Sequence, residues 1–270
     1  MNRRVQIHPA ALNEGRATVD PEFAGNVAFI TGGAIGFGRS FARAFVAEGC
    51  AVALADIDLE AAEETAEALR KDGHVALAVE CDVSDENQVA RAVSATVEEL
   101  GGIGILVNNA GKHLLKYSQP FGKLSIAEVR SVFEVNVIGA VSCAMACRAH
   151  MRARGGGTVV NVSSIAGYQP VSPYGVSKLA LRGLTIALAT EFAEDNIRVN
   201  AVAPGLTATE SGLKDFPQSL IDDFAENKQL VHRVGQMEDV VSTVMFLCSD
   251  RASFITGETL KVSGGYPLAI

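Results

Sequence analysis

The chain has 270 residues, 48% of them hydrophobic, enough apolar material for one α/β sheet covered on both faces. A net charge of −8 with no Lys/Arg-rich run excludes a polyanion-binding surface, so neither nucleic acid nor an anionic membrane is an expected partner. The five scattered cysteines form no Cys-x-x-Cys, the five histidines show no ligand spacing, and neither a signal peptide nor an apolar run of ~18 residues is present, so a cytoplasmic, metal-free protein is expected.

Residues 1–24 carry Pro9, Pro21 and several charges with little periodicity, and read as an arm ahead of a single domain spanning 25–270. The first buried run, Val27–Thr31, leads into Gly32-Gly33-Ala34-Ile35-Gly36-Phe37-Gly38, and a helical pattern follows from Arg39 to Glu48. Gly32, Gly36 and Gly38 permit a tight turn and bring the backbone, with that of Phe37, close to a pyrophosphate. The helix start offers free N–H groups and partial positive charge. Alone, such a turn is weak evidence, since an ordinary strand-to-helix connection can carry the same glycines. The second run, Ala51–Asp56, ends on an acid 18 residues past Gly38, close to the ~20 at which a carboxylate meets the adenosine ribose hydroxyls; Ile57 follows it. Asp56 would repel a 2′-phosphate and the turn has Ile35 at its centre, so NAD is expected over NADP. Arg39 argues the other way, unless it is a helix residue facing solvent.

The third run, His74–Glu80, is followed by Asp82-Val83, and the fourth, Ile103–Asn108, by Asn109-Ala110-Gly111. Both stretches fall on the sheet edge that carries the glycine turn, where adenine would lie. Asp82 is also placed to cap a helix beginning near Ser84, and the Asn pair to satisfy turn backbone. Cys143 and Cys147, one helical turn apart, read as small core residues. After the fifth run, Gly157–Val162, come Ser163 and Ser164, hydroxyls suited to a carbonyl oxygen that gains negative charge.

Pro173 opens a helical pattern reaching about Phe192, with Tyr174 and Lys178 four apart on one face. A free phenol titrates near pH ~10, and a neighbouring ammonium stabilises its phenolate, so the pair can serve as an acid/base unit. No acid and histidine complete a triad and Gly-x-Ser-x-Gly is absent, which excludes the usual serine hydrolase pattern. The sixth run, Ile197–Ala203, leads into Pro204-Gly205-Leu206, and the seventh is Thr259–Val262. Between them residues 206–235 are irregular apart from an amphipathic patch, Leu220–Phe224, and are expected to cover the substrate. Strands alternating with helices, without repeat or linker, predict a single-domain Rossmann fold: a doubly wound, mostly parallel seven-stranded sheet with helices on both faces.

The Thr-Gly-x-x-x-Gly-x-Gly turn at 31–38, Asn-Asn-Ala-Gly at 108–111, Asn136, Ser164, Tyr174-x-x-x-Lys178 and Pro204-Gly205 occur together and in order. In these features, over roughly Phe23 to Gly265, the chain resembles the short-chain dehydrogenase/reductase family in its basic single-domain form. The resemblance implies a hydride-transferring oxidoreductase on CH–OH donors, interconverting a secondary alcohol and a ketone with NAD. An NADP-dependent carbonyl reductase is the alternative, and a non-catalytic dinucleotide-binding member a more distant one. It also implies Tyr174 as acid/base, Ser164 polarising the carbonyl, and Lys178 binding the nicotinamide ribose while lowering the tyrosine pKa. Asn136 would kink a helix and hold a water joining the lysine to solvent, and Pro204, Gly205, Leu206 and Thr209 would meet the nicotinamide amide.

Ser164 precedes Tyr174 by ten residues, fewer than is usual in that family, so the loop Ile165–Pro173 is short and Ser163 stays a second candidate. Leu114, Leu115, Tyr168, Pro170, Val171 and Phe216 are expected to give the pocket an apolar wall. A homotetramer or homodimer is implied, joined through the helices after Ser125 and Tyr174 and the chain end at Gly264–Ile270.

Overall fold

A computed structural model describes residues 21–112, 115–209 and 216–268. Most of the expected arm, Leu114 of the expected pocket wall, residues 210–215 and the last two residues lie outside the described residues. Seven strands form one sheet: β1 (Val27–Thr31), β2 (Ala51–Asp56), β3 (Ala76–Glu80), β4 (Ile105–Asn108), β5 (Gly157–Val162), β6 (Ile197–Pro204) and β7 (Thr259–Val262). Their order is 3-2-1-4-5-6-7 and every neighbouring pair is parallel. β3 and β4 each start two residues later than the apolar runs suggest, because pairing rather than hydropathy sets where a strand begins.

Among the described residues eight α-helices connect or flank the strands: α1 (Gly36–Ala47), α2 (Leu59–Lys71), α3 (Glu86–Leu100), α4 (Ile126–Phe133), α5 (Gly139–Ala153), α6 (Pro173–Glu191), α7 (Gln218–Asp223) and α8 (Met237–Cys248). Strand alternation divides the core between the two sheet faces. Ala28, Ile30, Val52 and Leu54 pack with Phe41 and Phe45 of α1 and Val240, Val244 and Leu247 of α8. Phe29, Ala53, Leu106 and Val159 pack with Val89 and Val93 of α3 and Cys143, Cys147 and Met151 of α5. All five cysteines are free and buried.

Three expectations change. Phe23 is buried and sets its ring edge-on to Phe45 at 5.3 Å, so the domain includes residues 21–24, which the polar sequence assigns to the arm. The cap of α3 is Asp85, whose carboxylate accepts from the N–H groups of Asn87 and Gln88; Asp82 accepts instead from the N–H and hydroxyl of Ser84, one turn too early to cap. Third, α4, a π-helical turn (Glu134–Ile138) and α5 run as one helix of 28 residues, apolar enough by length and composition to cross a membrane. Its Cys143, Ala144, Cys147 and Met151 are packed against the sheet, which accounts for that hydropathy.

The strand order reverses direction between β1 and β4, opening a crevice beyond their carboxyl ends. A cavity of about 280 Å³ lies at the opposite edge, between Asn26, Cys50, His74 and Leu100, away from the glycine turn and the serines.

Candidate active site

The glycine turn is shaped by backbone contacts that exclude side chains. Gly32 and Gly36 have φ of 61° and 55°, in the left-handed region. A Cβ on Gly38 would stand 2.0 Å from the Gly32 carbonyl oxygen, and one on Gly33 would stand 2.9 Å from Cα of Leu54. Ile35 occupies the N-cap of α1 without a side-chain bond, which leaves the first helical N–H groups available to an anion. Phe37 stacks on Phe41 with ring centroids 5.9 Å apart.

Around this cradle the polar groups are held in place. Asp56 Oδ2 accepts from the Ala34 N–H (3.0 Å) and Oδ1 from the Asp58 N–H (3.1 Å), with Ile57 exposed beside it. The Thr65 hydroxyl donates to the Ala34 carbonyl at 2.8 Å. Asn109 Nδ2 donates to the carbonyls of Thr31 and Gly32, and Thr31 Oγ1 accepts from the N–H groups of Asn109 and Ala110. The turn after β4 is thereby stitched to the glycine turn. Asp82 donates its N–H to Gln88 Oε1, and Val83 packs on Gly139, so this pair closes the crevice floor through its backbone and one buried side chain. The left-handed glycines, the close-approach cradle and the uncapped helix start fit a dinucleotide pyrophosphate, with Asp56 placed for the ribose.

The two serines after β5 have different roles. Ser163 is buried and donates to the Lys178 carbonyl at 2.9 Å, fastening the strand to α6. Ser164 is half-buried, accepts from the Ala166 N–H at 3.2 Å and is hydrogen-bonded to Tyr174. The pleat separates them, and Ser164 is the one that faces the phenol.

Tyr174 is the second residue of α6, after the N-cap Ser172 and Pro173 at the first helical position. Burial pushes its pKa above the ordinary 10.0, and the Ser164 bond opposes that shift without reversing it, so the lowered phenol pKa expected from Lys178 is not found. One turn on, the buried Lys178 places Nζ 5.8 Å from the centre of the tyrosine ring and donates to the Val162 carbonyl at 2.7 Å. Desolvation lowers the pKa of this ammonium from 10.5 to about 8.

Asn136 lies in the π-helical turn, where the helix widens and turns its side chain inward. Its Oδ1 accepts from the Lys112 N–H (2.7 Å), while Nδ2 donates to the Lys112 carbonyl and to Ser177 Oγ. Gly111 lies at the meeting point: a Cβ there would be 3.3 Å from Asn136 Oδ1 and 3.6 Å from Lys178 Nζ. Gly205 packs its Cα face on Ser263, and Thr207 bridges to Gly235, which sets the course of the chain through Leu206 toward Thr209.

Sequence reading missed several supporting groups. Asn108 donates to Asn161 Oδ1 (2.9 Å) and Asn161 to Thr185 Oγ1 (3.0 Å), a buried chain tying β4, β5 and α6 together. Polar residues inside apolar runs are the available signal; Thr65, on a distant helix, and Ser177, between Tyr174 and Lys178 on α6, carry none. Tyr168 is not part of an apolar pocket wall: its ring lies 3.6 Å from the Arg182 guanidinium and 5.0 Å from Lys261 Nζ, and its hydroxyl donates to Thr259. The short loop draws it onto α6 and β7. Pro170 and Val171 are exposed, and Phe216 is half-buried. Among the described residues no group of His, Cys, Asp or Glu is arranged to hold a metal.

A family model described as "Enoyl-(Acyl carrier protein) reductase" matches residues 32–267. The cis-4-hydroxycyclohexanecarboxylate dehydrogenase of Sinomonas cyclohexanicum is 38% identical over 247 residues, covering 90% of this chain and 97% of that one. The chain belongs to the short-chain dehydrogenase/reductase family. The 7alpha-hydroxysteroid dehydrogenase of Escherichia coli K12 is 34% identical over 248 residues, covering 89% of this chain and 94% of its own. A solved structure of a 7 alpha-hydroxysteroid dehydrogenase with NADH and 7-oxo glycochenodeoxycholic acid superposes with a TM-score of 0.85 at 30% identity, covering 91% and 96% of the two chains. This family member is an oxidoreductase of the alcohol/ketone type, acting on CH–OH donors with a nicotinamide dinucleotide.

Proposed function

We propose that the chain oxidises a secondary alcohol borne on a ring, using NAD in preference to NADP, with Tyr174 as acid/base. The observation that carries this is the half-buried phenol of Tyr174, hydrogen-bonded to Ser164 and one helical turn above the buried ammonium of Lys178. When bound, the cofactor supplies the hydride acceptor. Gly32, Gly36 and Gly38 would hold its pyrophosphate, Asp56 its adenosine ribose, Asn109 to Gly111 and Lys178 its central and nicotinamide riboses, and Pro204 to Thr209 its amide.

Ser164 and Tyr174 both hydrogen-bond the substrate oxygen. Tyr174 takes the hydroxyl proton during oxidation and returns it during reduction, while Ser164 donates to the oxygen as its negative charge grows. Lys178 stabilises the phenolate electrostatically, and Asn136 fixes Lys112 and Gly111 beside it. The position of Asn136 also supports a water link from Lys178 toward solvent. The ring-borne substrate class is supported by the hydroxycyclohexanecarboxylate and hydroxysteroid relatives.

The preference for NAD rests on the Asp56 carboxylate, held at the glycine turn where a 2′-phosphate would meet it. Purified protein is expected to reduce NAD with cis-4-hydroxycyclohexanecarboxylate or a 7α-hydroxysteroid, followed by absorbance of the reduced ring. Asp56→Ser is expected to narrow the NAD-to-NADP ratio in kcat/KM by about tenfold, from loss of like-charge repulsion. No turnover with either cofactor across cyclic alcohols and ketones refutes the reading.

We further place the protein in the cytoplasm, in keeping with five free, buried thiols, and as a homodimer or homotetramer. Exposed Ile138, Met145, Leu179 and Ile186 along the helices after Ser125 and Tyr174 support such an assembly. Light scattering on the eluting protein tests it.

A further inference from the structure

The loop between Ser164 and Tyr174 is packed onto the catalytic helix at two points. A Cβ on Gly167 would be 2.8 Å from the Lys178 carbonyl carbon, and one on Gly175 would be 3.0 Å from Cα of Pro170. Beside Pro170, the exposed Gln169 accepts a hydrogen bond through Oε1 from the Tyr266 hydroxyl at 3.0 Å. The Tyr266 ring in turn meets Phe224 edge-on, with centroids 5.3 Å apart and planes at 82°. Phe224 begins the π-helical turn Phe224–Lys228 that follows α7, within the segment expected to cover the substrate. Tyr266 therefore touches both the Gln169 loop and the Phe224 segment.

Other anchors of this chain end come from the covering side and from β7. The Gly264 carbonyl accepts from Leu230 (2.7 Å) and Val231 (3.0 Å), while Lys261 Nζ donates to the Pro267 carbonyl at 2.8 Å. On Phe224, Lys228 Nζ stands 4.5 Å from the ring and pairs with Asp223. The described part of the covering segment is thus fastened to the turn at Ser263–Pro267, and that turn meets the loop before α6 through the hydroxyl of Tyr266 and, by way of Lys261, at the Tyr168 ring.

We propose that Tyr266 is a positioning residue for the substrate, a brace that sets the distance between the Gln169 loop and the Phe224 segment. It touches neither cofactor nor reacting atoms. Its effect on substrate rests on the alcohol-dehydrogenase reading, whereas the coupling between the two segments rests on the contacts alone. The bond is at the surface and joins residues far apart in sequence, so its loss should shift two loops locally and leave the sheet intact.

Two measurements on the full-length protein test this. In hydrogen exchange without substrate, Gln169→Ala is expected to speed exchange across 218–228, and Phe224→Ala to speed exchange across 165–173, with α1 unchanged. With cyclohexanol as probe, Tyr266→Phe and Gln169→Ala are each expected to raise its KM about fivefold, the factor for losing one hydrogen bond. The KM for NAD and kcat should stay within about twofold, and the double variant should be no worse than either single one. Exchange changes confined to the substituted segment overturn the brace, as does an additive double variant. If the unaltered protein reduces no NAD with cyclohexanol, the exchange experiment still decides the brace, and the failure falls on the oxidoreductase reading.

Discussion

The two halves of the crevice are built differently. On the β1–β4 side, the site is backbone against backbone: Gly38 under the Gly32 carbonyl, Gly33 against Leu54, and Asp56 and Thr65 holding the two amide groups of Ala34. On the β5–β7 side, it is side chains reaching between loops: Ser164 to Tyr174, Tyr168 between Arg182 and Lys261, Gln169 to Tyr266. Backbone cradles tolerate few residue types and hold a ligand part that is chemically constant. Side-chain contacts can be exchanged one at a time, which suits a half that must fit a particular alcohol.

The comparison can be broken most severely at the catalytic helix. Tyr174→Phe is expected to lower kcat by about a hundred- to ten-thousandfold, the usual range for a lost acid/base, while fluorescence titration finds NADH binding unchanged. Full turnover in that variant would refute the mechanism. Next in size is the contrast between neighbouring serines. Ser164→Ala should reduce kcat about a hundredfold, as removal of a donor to developing charge does. Ser163→Ala should leave kcat nearly intact and lower stability by ~1 kcal/mol through loss of its bond to Lys178, measurable by urea titration. Equal effects on turnover would erase the distinction.

On the other side of the crevice, Gly38→Ala forces the glycine turn apart. Overpacking of this kind costs about 1–3 kcal/mol, so NADH binding should weaken tenfold or more while the helical circular dichroism is retained. Unchanged binding would show that the cradle is not where the cofactor lies.

A last effect is on the pH dependence of stability. The folded pKa of Lys178 is lowered to about 8, against 10.5 when free, so below pH 8 both states hold the proton and the fold buries a charge. Between about 8 and 10.5 the unfolded chain keeps a proton that the folded chain has shed, and stability rises with pH. Tyr174, shifted upward, acts oppositely above its ordinary 10.0, where the unfolded phenol ionises first. Lys178→Met should therefore abolish the rise above pH 8 in urea midpoints. If the rise persists in that variant, other groups cause it.

The same contrast explains what was legible. Glycines at 32, 36 and 38, the acid at 56 and the Tyr-x-x-x-Lys spacing are local patterns, each within one connection or one helical turn, and the structure brings them to one sheet edge. The choice between Ser163 and Ser164 needed the position of α6, because both stand in the same turn and differ only in which partner they meet. Tyr168 looked like a pocket residue in sequence, but Arg182 and Lys261 come from a helix and a strand that only folding places beside it.

By itself the sequence determined the alternation of strands and helices, the glycine turn after the first strand, and the placing of Tyr174 and Lys178 one turn apart on a helix, because each depends on short-range periodicity or on residues a few positions apart. The tertiary structure alone decided the cap of α3, the partner of each serine, the clamp of Asn136 on Lys112 and Ser177, and the contacts of Tyr266 with Gln169 and Phe224. These depend on contacts between segments tens of residues apart, and such contacts leave no pattern in the chain until the sheet has brought the segments together.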